Sequence, residues 1–448
     1  MSTPDPDQPT LVLTPIRAAL PRAGGTLEVM VRIQAPAEPI DRTGAEQPRT
    51  PLRLALVVDR SGSMAGTPLA EALRCVDYIA GRLQPTDQLA VVLYDNNIQV
   101  PYPLAAGGDS ATVQRVLASV ESGGSTALFD GWRAGTRQLE PAPAGPISRV
   151  LLLSDGQANA GLCDQGEIEG HCQRCAAEGI STTTVGLGRD FNENLMIAMA
   201  RAGGGRNYYG QTAEDLHDGF DEELALLEAM LLRHLRVKLV PGEGVIVEPL
   251  GLLRHVDDTW LGLSDLAWGA EAWMLVRLHV APSGDAVPGP KERALLAVTA
   301  QAEWRNGVPA DIGTVMLTLP QVSTEAWRAL PPDELVARRL QEVSFADESQ
   351  RIRVLVTNGE VDKAKLHLAR LEKQVANEPW LADKVKHLGE LLERDAAMAS
   401  KEMLYSANIL YTRVSDVNEG AYAASETDSA QIPAFLRRKA SEGKGRKR

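Results

Sequence analysis

The most constraining feature of this chain is an alternation of short apolar runs and amphipathic segments that begins near residue 52. The apolar runs read "LRLALVVD", "QLAVVLYD", "SRVLLLSD" and "ISTTTVGLG", and segments with helical spacing of their apolar residues lie between them. Strands that alternate with helices pair in parallel, and the helices cover both faces of the sheet. Residues 51–232 are therefore predicted to form a doubly wound, Rossmann-like α/β domain with a mostly parallel sheet.

The segments on either side of this domain follow a different period. In "TLEVMVRIQA" and in several runs between 233 and 325, apolar residues alternate with polar ones, as is typical of antiparallel strands. Because strands lie both before and after the α/β domain, we expect it to be inserted in one antiparallel β-sandwich. Residues 1–50 are interpreted as a disordered start, sandwich strand or strands and a linker, and residues 233–325 as the rest of the sandwich.

The C-terminal part of the chain changes character again. Residues 326–412 are predicted to be helical, and two segments joined near Pro379 each carry a leucine-containing stripe at spacings of three and four. They are expected to pair as antiparallel helices, with the stripe forming internal core rather than a partner groove. Residues 413–448 are polar and end in "RRKASEGKGRKR", which predicts a disordered basic tail. A contact of this tail with nucleic acid or anionic lipid stays open, although a solvated tail is favoured.

Composition narrows the class of protein. The 448 residues carry a formal net charge of −13, which disfavours nucleic acid as the general partner. No apolar run is long enough for a membrane span, and the polar start of the sequence does not resemble a secretory signal. Only four cysteines occur, which is typical of reduced thiols. Together these features predict a cytoplasmic protein without a membrane partner.

Oxygen-bearing side chains follow the predicted strands at one edge of the sheet. Asp59 closes the first strand and is followed by Ser61 and Ser63, Asp155 closes another, and Thr126 lies in a glycine-rich loop. Ligands of open parallel sheets bind at the carboxyl ends of the strands. Two carboxylates and three hydroxyls suit Mg²⁺, Mn²⁺ or Ca²⁺ rather than zinc or copper. The pattern therefore predicts a cation site with a coordination position left for an incoming carboxylate.

These five residues, in this order over about residues 52–230, resemble the metal-ion-dependent adhesion site of the von Willebrand factor A (VWA) domain. The resemblance implies that the two serines and the threonine hold Mg²⁺ directly or through water. It implies that Asp155 acts through water, and that an acidic side chain of a partner protein completes the shell. The flanking strands are also similar to bacterial intracellular proteins in which this domain is inserted in a β-sandwich.

The resemblance implies a metal-dependent protein-binding module that acts as an adaptor or scaffold and is not an enzyme. Some bacterial members work beside ATPases of the AAA+ type, which makes such an ATPase a candidate partner by analogy. One alternative is a structural scaffold in which the metal only holds loops. A less favoured alternative is a metal-dependent hydrolase with Asp59 as nucleophile. The hydrolase is less favoured because the sequence contains no P-loop, no Gly-x-Ser-x-Gly elbow and no histidine near the ligands.

Other polar residues have simpler interpretations. Asn159 is expected to cap a helix or bond a loop, and Asp95 to form a turn after its strand. A zinc site could be formed by Cys163, His171, Cys172 and Cys175, because Cys172 and Cys175 have the Cys-x-x-Cys spacing that zinc sites use. The same spacing on a helix puts both thiols on one face, where free cysteine packs well in a core. The packing interpretation is favoured over zinc binding.

Overall fold

The computed structural model describes residues 8–37, 50–107, 110–155, 158–187, 192–210, 213–282, 292–412 and 415–416. The predicted disorder of the first residues and of the basic tail lies almost wholly outside these ranges. The strands are β1 (Thr10–Pro15), β2 (Leu20–Pro21), β3 (Gly25–Gln34), β4 (Leu52–Asp59), β5 (Gln88–Tyr94), β6 (Ile98–Ala106), β7 (Ile147–Ser154), β8 (Ile180–Leu187), β9 (Gly204–Gly210), β10 (Met230–Pro241), β11 (Val245–Leu250), β12 (Arg254–His255), β13 (Trp260–Gly262), β14 (Leu266–Ala267), β15 (Ala270–Val280), β16 (Glu292–Trp304), β17 (Pro309–Val322) and β18 (Ser415–Asp416).

The helices complete the element order, together with a short 3₁₀ helix over Gly62–Met64. They are α1 (Thr67–Arg82), α2 (Ser110–Leu117), α3 (Leu128–Leu139), α4 (Gln165–Ala177), α5 (Glu193–Ala202), α6 (Ala213–Glu228), α7 (Thr324–Ala329), α8 (Glu334–Thr357), α9 (Val361–Gln374), α10 (Pro379–Arg394) and α11 (Ala396–Thr412). Residues 41–230, with 304–308, form one compact unit, and the remaining residues form a second.

The α/β unit is built on one sheet in the order β6-β5-β4-β7-β8-β9. All neighbouring strands in it are parallel except β5 and β6. The predicted doubly wound sheet is thus confirmed, with β4 and β7 in its interior. The prediction did not include β6, because Pro101 and Pro103 interrupt its pattern. An antiparallel edge strand accepts proline, since one side of its backbone makes no ladder.

The near-continuous apolar character of the central strands follows from burial on both sides. Leu54, Leu56 and Val58 of β4 belong to a core on one face of the sheet, and Ala55 and Val57 belong to a core on the other. Helix α6 ends at Glu228, four residues before the predicted end of the α/β domain at residue 232. The run "AMLL" fits a helix end or a buried strand equally well, and it leads into β10.

The second unit contains two sheets, in which β3 pairs antiparallel with β1 and β15, and β16 pairs antiparallel with β17, whereas β2 pairs with β17 in parallel. Strand β3 pairs with β15 along ten residues of each strand, from Gln34 opposite Glu271 to Gly25 opposite Val280. A strand that precedes the α/β unit in sequence therefore pairs with one that follows it. This pairing confirms that the α/β unit is inserted between two parts of an antiparallel β-structure.

The C-terminal helices pack on each other and on the five-stranded sheet. Leu368 and Leu371 of α9 and Leu388 of α10 are buried in one core, which confirms that the leucine stripe is internal. Val29 and Val31 are buried on one face of β3. Met30 lies on the opposite face and is buried in one core with Val336 of α8, so β3 is covered on both faces. In the described ranges, no helix combines the length and apolar character needed to cross a bilayer.

Candidate metal centre

The carboxyl ends of β4 and β7 bring the two predicted carboxylates to one edge of the sheet. The two strands are parallel neighbours, with Val58 opposite Leu153. Asp59 is the last residue of β4, and Asp155 directly follows the last residue of β7. Both carboxylates are buried, and the charge of Asp155 acts on Asp59. The structure thus places these two side chains together at the position expected for a ligand site.

The Asp59 carboxylate is held by three neutral donors. Its Oδ1 accepts the Ser61 amide N–H at 2.8 Å. Its Oδ2 accepts the hydroxyls of Ser154 at 2.6 Å and Tyr94 at 3.2 Å. No Lys or Arg side chain in the described residues forms an ion pair with it. The side chain is 0% exposed, so a negative charge here has lost its hydration and has only dipoles in exchange.

The pKa of Asp59 reflects this loss of hydration. Burial raises the pKa of Asp59, hydrogen bonds from Ser154 and Ser61 oppose this, and the negative charge of Asp155 adds to the rise. Burial and the charge of Asp59 also raise the pKa of the Tyr94 phenol. A buried carboxylate beside a second carboxylate is the arrangement that a bound cation stabilises, since it supplies the missing opposite charge.

The three predicted hydroxyl ligands lie in two loops beside Asp59. The Ser61 and Ser63 hydroxyl oxygens are 3.1 Å apart. The Thr126 side chain is 1% exposed, and its Oγ1 makes no hydrogen bond to any part of the chain that the structure describes. A buried hydroxyl without a partner is destabilising by about 1–3 kcal/mol. The sequence predicted Thr126 as a ligand, and the structure gives its hydroxyl no other role.

Backbone hydrogen bonds join the two loops. The Gly62 N–H donates to the Gly124 carbonyl at 3.1 Å, and the Gly123 N–H donates to the Arg60 carbonyl at 2.8 Å. The loop that carries the serines and the loop that carries Thr126 are therefore held side by side. This pairing depends on contacts between segments about 60 residues apart in sequence, so the local pattern does not reveal it.

Asn159 fixes the backbone of Thr126 from the third loop. Its side-chain Oδ1 accepts the Thr126 N–H at 2.7 Å, and its own N–H donates to the Thr126 carbonyl at 3.2 Å. The expectation that Asn159 bonds a loop is confirmed, and the loop is the one that presents a predicted ligand. Since both backbone groups of Thr126 are held, the direction of its side chain is set by the loop after β7.

Asp95 has a second role besides its turn. Its Oδ1 accepts the Asn97 N–H at 2.5 Å, which confirms the predicted turn. Its Oδ2 lies 3.0 Å from the Arg60 guanidinium, and its carbonyl accepts the Ala127 N–H at 3.0 Å. Asp95 therefore connects the loop of Asp59 with the loop of Thr126. The sequence analysis did not anticipate this ion pair, because Arg60 and Asp95 follow different strands.

The residues fit a hard divalent cation by the chemistry of their donors. Asp59, Ser61, Ser63, Thr126 and Asp155 offer only oxygen atoms, and one of these, Thr126 Oγ1, is buried with no hydrogen-bond partner among the described residues. Oxygen donors are the ligands of Mg²⁺, Mn²⁺ and Ca²⁺.

The cysteines lie elsewhere in the α/β unit. Cys172 and Cys175 are buried in the core, as the packing interpretation expected, and burial raises the pKa of both thiols. Cys163 is exposed. Across the described ranges, no three or more His, Cys, Asp and Glu side chains are grouped so that they could hold a metal ion. The candidate site contains two carboxylates and three hydroxyls. Because hydroxyl residues are not counted among His, Cys, Asp and Glu, this site is not a group of that kind.

Comparisons with known proteins agree with this fold. The profile of the von Willebrand factor type A domain matches residues 54–222, and domains of that type often mediate protein–protein interactions. Uncharacterized protein sll0103 of Synechocystis sp. is 26% identical over 198 residues, which are 42% of this chain and 44% of that protein. The match thus spans less than half the length of that curated relative.

Two solved structures share the fold over most of the chain. A von Willebrand factor type A protein from Catenulispora acidiphila has a TM-score of 0.68 at 14% identity, covering 92% of this chain and 98% of that one. The ArnB paralog VWA2 from Sulfolobus acidocaldarius has a TM-score of 0.59 at 16% identity, covering 89% and 98%. Residues 54–222 of this chain are therefore a von Willebrand factor type A domain, carried within an antiparallel β-structure and followed by a helical region.

Proposed function

We propose that this protein is a metal-dependent adaptor or scaffold that binds another protein through a divalent cation. The cation is Mg²⁺, or Mn²⁺ or Ca²⁺ in its place, and its ligands are Asp59, Ser61, Ser63, Thr126 and Asp155. The observation that carries the proposal is the buried Thr126 hydroxyl, which has no hydrogen-bond partner in the described chain and lies in a loop bonded to that of the serines. A cation ligand role accounts for an otherwise destabilising group.

When bound, the cation supplies positive charge beside the two carboxylates and a coordination position for an oxygen from outside. The chain's own residues prepare that position. Ser154, Tyr94 and the Ser61 amide orient the Asp59 carboxylate, and Asn159 fixes Thr126. Because the three hydroxyl ligands are neutral, the site keeps a net attraction for a partner's Asp or Glu side chain. An AAA+ ATPase is a candidate source of that acid by family analogy only.

The geometry argues against the hydrolase alternative. A nucleophilic Asp59 needs a carboxylate oxygen that is free to attack a substrate. Both of its oxygens accept hydrogen bonds, and the side chain is fully buried. These contacts suit a carboxylate that is held in place beside a cation. The non-enzymatic interpretation is therefore part of the proposal.

The experiment is affinity capture from the native cell with the full chain, once with Mg²⁺ and once with a chelator. We expect a specific partner to be retained with Mg²⁺ and lost with the chelator. Asp59→Ala in Mg²⁺ should lose the same partner, because it removes one of the two carboxylates. If the partner stays under both conditions while the melting temperature falls on chelation, the metal only holds loops and the proposal is wrong.

Asn159→Ala tests whether the three loops act as one site. Removing the acceptor for the Thr126 N–H should weaken Mg²⁺ binding by about tenfold or more, as is typical for residues that support a ligand. Calorimetric titration measures this. Ser323→Ala is the matched control, since Ser323 accepts the Ala326 N–H as the cap of α7 and belongs to the other unit. It should lower stability by about 1 kcal/mol and leave the affinity unchanged. Equal affinities of both variants would contradict this role of Asn159.

A further inference from the structure

Tyr94 occupies a fixed position behind the candidate cation site. It is the last residue of β5 and lies directly opposite Asp59 of β4 in the parallel pairing. Its side chain is fully buried, and its hydroxyl donates to Asp59 Oδ2 at 3.2 Å. Gly131 of α3 leaves room for the ring, because a Cβ atom at that position would lie 2.4 Å from Tyr94 Cγ. The phenol is therefore held in place by packing as well as by its hydrogen bond.

The hydrogen bonds limit what Asp59 can offer to a cation. Each carboxylate oxygen has two lone pairs. Oδ2 receives two donors, the hydroxyls of Tyr94 and Ser154, and so has no lone pair left. Oδ1 accepts the Ser61 N–H and keeps one lone pair. Asp59 can therefore bind a cation through one oxygen at most, or through water, but not with both oxygens.

This restriction distinguishes between hard cations. Ca²⁺ takes six to eight oxygen ligands and often binds a carboxylate through both oxygens, whereas Mg²⁺ takes six in a strict octahedron and keeps several waters. With Asp59 limited to one oxygen, the five candidate residues lose the two-oxygen carboxylate contact that Ca²⁺ often uses and that Mg²⁺ does not need. They supply enough for an octahedral ion completed by water and one outside carboxylate.

We propose that Tyr94 is the residue that determines cation specificity at this site. By capping Asp59 Oδ2 together with Ser154, its hydroxyl excludes two-oxygen binding and so favours Mg²⁺ and Mn²⁺ over Ca²⁺. The inference rests on the proposed cation site and extends it from the presence of a metal to the choice of metal.

The test is calorimetric titration of the full chain with Mg²⁺, Mn²⁺ and Ca²⁺, each alone, for the wild type and Tyr94→Phe. Phenylalanine keeps the ring but frees one lone pair of Oδ2. The ratio of the Kd for Ca²⁺ to the Kd for Mg²⁺ should fall by about tenfold or more. Tyr78→Phe is the matched control, since it removes a phenol that donates to Asp221 at 2.5 Å in the same unit. Its ratio should equal that of the wild type.

The possible outcomes separate the two proposals. If all three cations bind and the ratio is unchanged within twofold in Tyr94→Phe, the specificity role is wrong while the cation site stands. If no cation binds the wild type, the proposed function is wrong, and the specificity role is wrong with it. Should Tyr94→Phe fail to fold, Ser154→Ala decides, because it removes the other donor to the same oxygen and is expected to lower the ratio likewise.

Discussion

Replacing Arg149 with leucine is expected to lower the free energy of unfolding by about 3–5 kcal/mol. Arg149 of β7 and Glu223 of α6 form an ion pair, and both side chains are 1% exposed. Glu223 also accepts the hydroxyls of Thr183 at 2.8 Å and Tyr208 at 2.9 Å. Without the Arg149 guanidinium, the Glu223 carboxylate would stay buried in the core and lose its ion pair. Denaturant unfolding followed by circular dichroism measures the loss.

Two further variants identify the cause of this loss. Arg74→Ala breaks a pair with Glu71 in which the arginine is 70% exposed, and it should cost at most about 1 kcal/mol. The double variant Arg149→Leu/Glu223→Leu should recover a large part of the stability, because it removes the buried carboxylate together with its partner. A double variant as unstable as the single one would show that packing, rather than the unpaired charge, is responsible.

The same pair predicts a pH dependence. Burial alone would raise the pKa of Glu223, but Arg149, Arg206 and the hydrogen bonds hold that pKa below the ordinary value of a glutamate. A lowered folded-state pKa gives stability that is present above the unfolded value and lost as the pH falls through the folded one. The contribution of this pair should therefore be complete at neutral pH and decline only below about pH 4.5.

Asp59→Ala is expected to have the largest effect on cation binding. It removes the charge at the centre of the hydrogen-bonded site, so Mg²⁺ affinity should fall by more than about 100-fold, beyond the usual effect of a supporting residue. Asp155→Ala should have a smaller effect, because its proposed contact runs through water. Titration calorimetry on both variants, with circular dichroism as the check of folding, measures the difference. An equal loss in both would contradict the water-mediated role of Asp155.

The strand ends could be predicted because local pattern and chemistry coincide there. A buried strand that ends on Asp59 and another followed by Asp155 are readable from apolar runs, and parallel pairing brings their ends together without further information. The glycine-rich loop before α3 indicates Thr126 as a further oxygen donor, but the pattern does not fix where this loop lies relative to the two strand ends. The structure supplies the contacts that hold this loop, from Gly62 to Gly124 and from Asn159 to Thr126.

The residues around the ligands could not be predicted in the same way. Tyr94 looks like an ordinary buried strand residue, and Ser154 like part of an apolar run, until the sheet places both hydroxyls on Asp59. The ion pair of Arg60 with Asp95 likewise joins two strand ends that are neighbours only in the fold. Side chains that act through another residue carry no periodic or motif signal. Their roles follow from the three-dimensional pairing of segments.

The most direct measurement is Mg²⁺ titration of the wild type and of Thr126→Val, with the unfolding free energy of each determined in chelator. Valine has nearly the same shape and removes the Thr126 hydroxyl. We expect the wild type to bind one Mg²⁺, and Thr126→Val to bind it at least about tenfold more weakly while gaining about 1 kcal/mol of stability without metal. A Thr126→Val variant that binds Mg²⁺ as tightly as the wild type, or is less stable in chelator, would contradict the account.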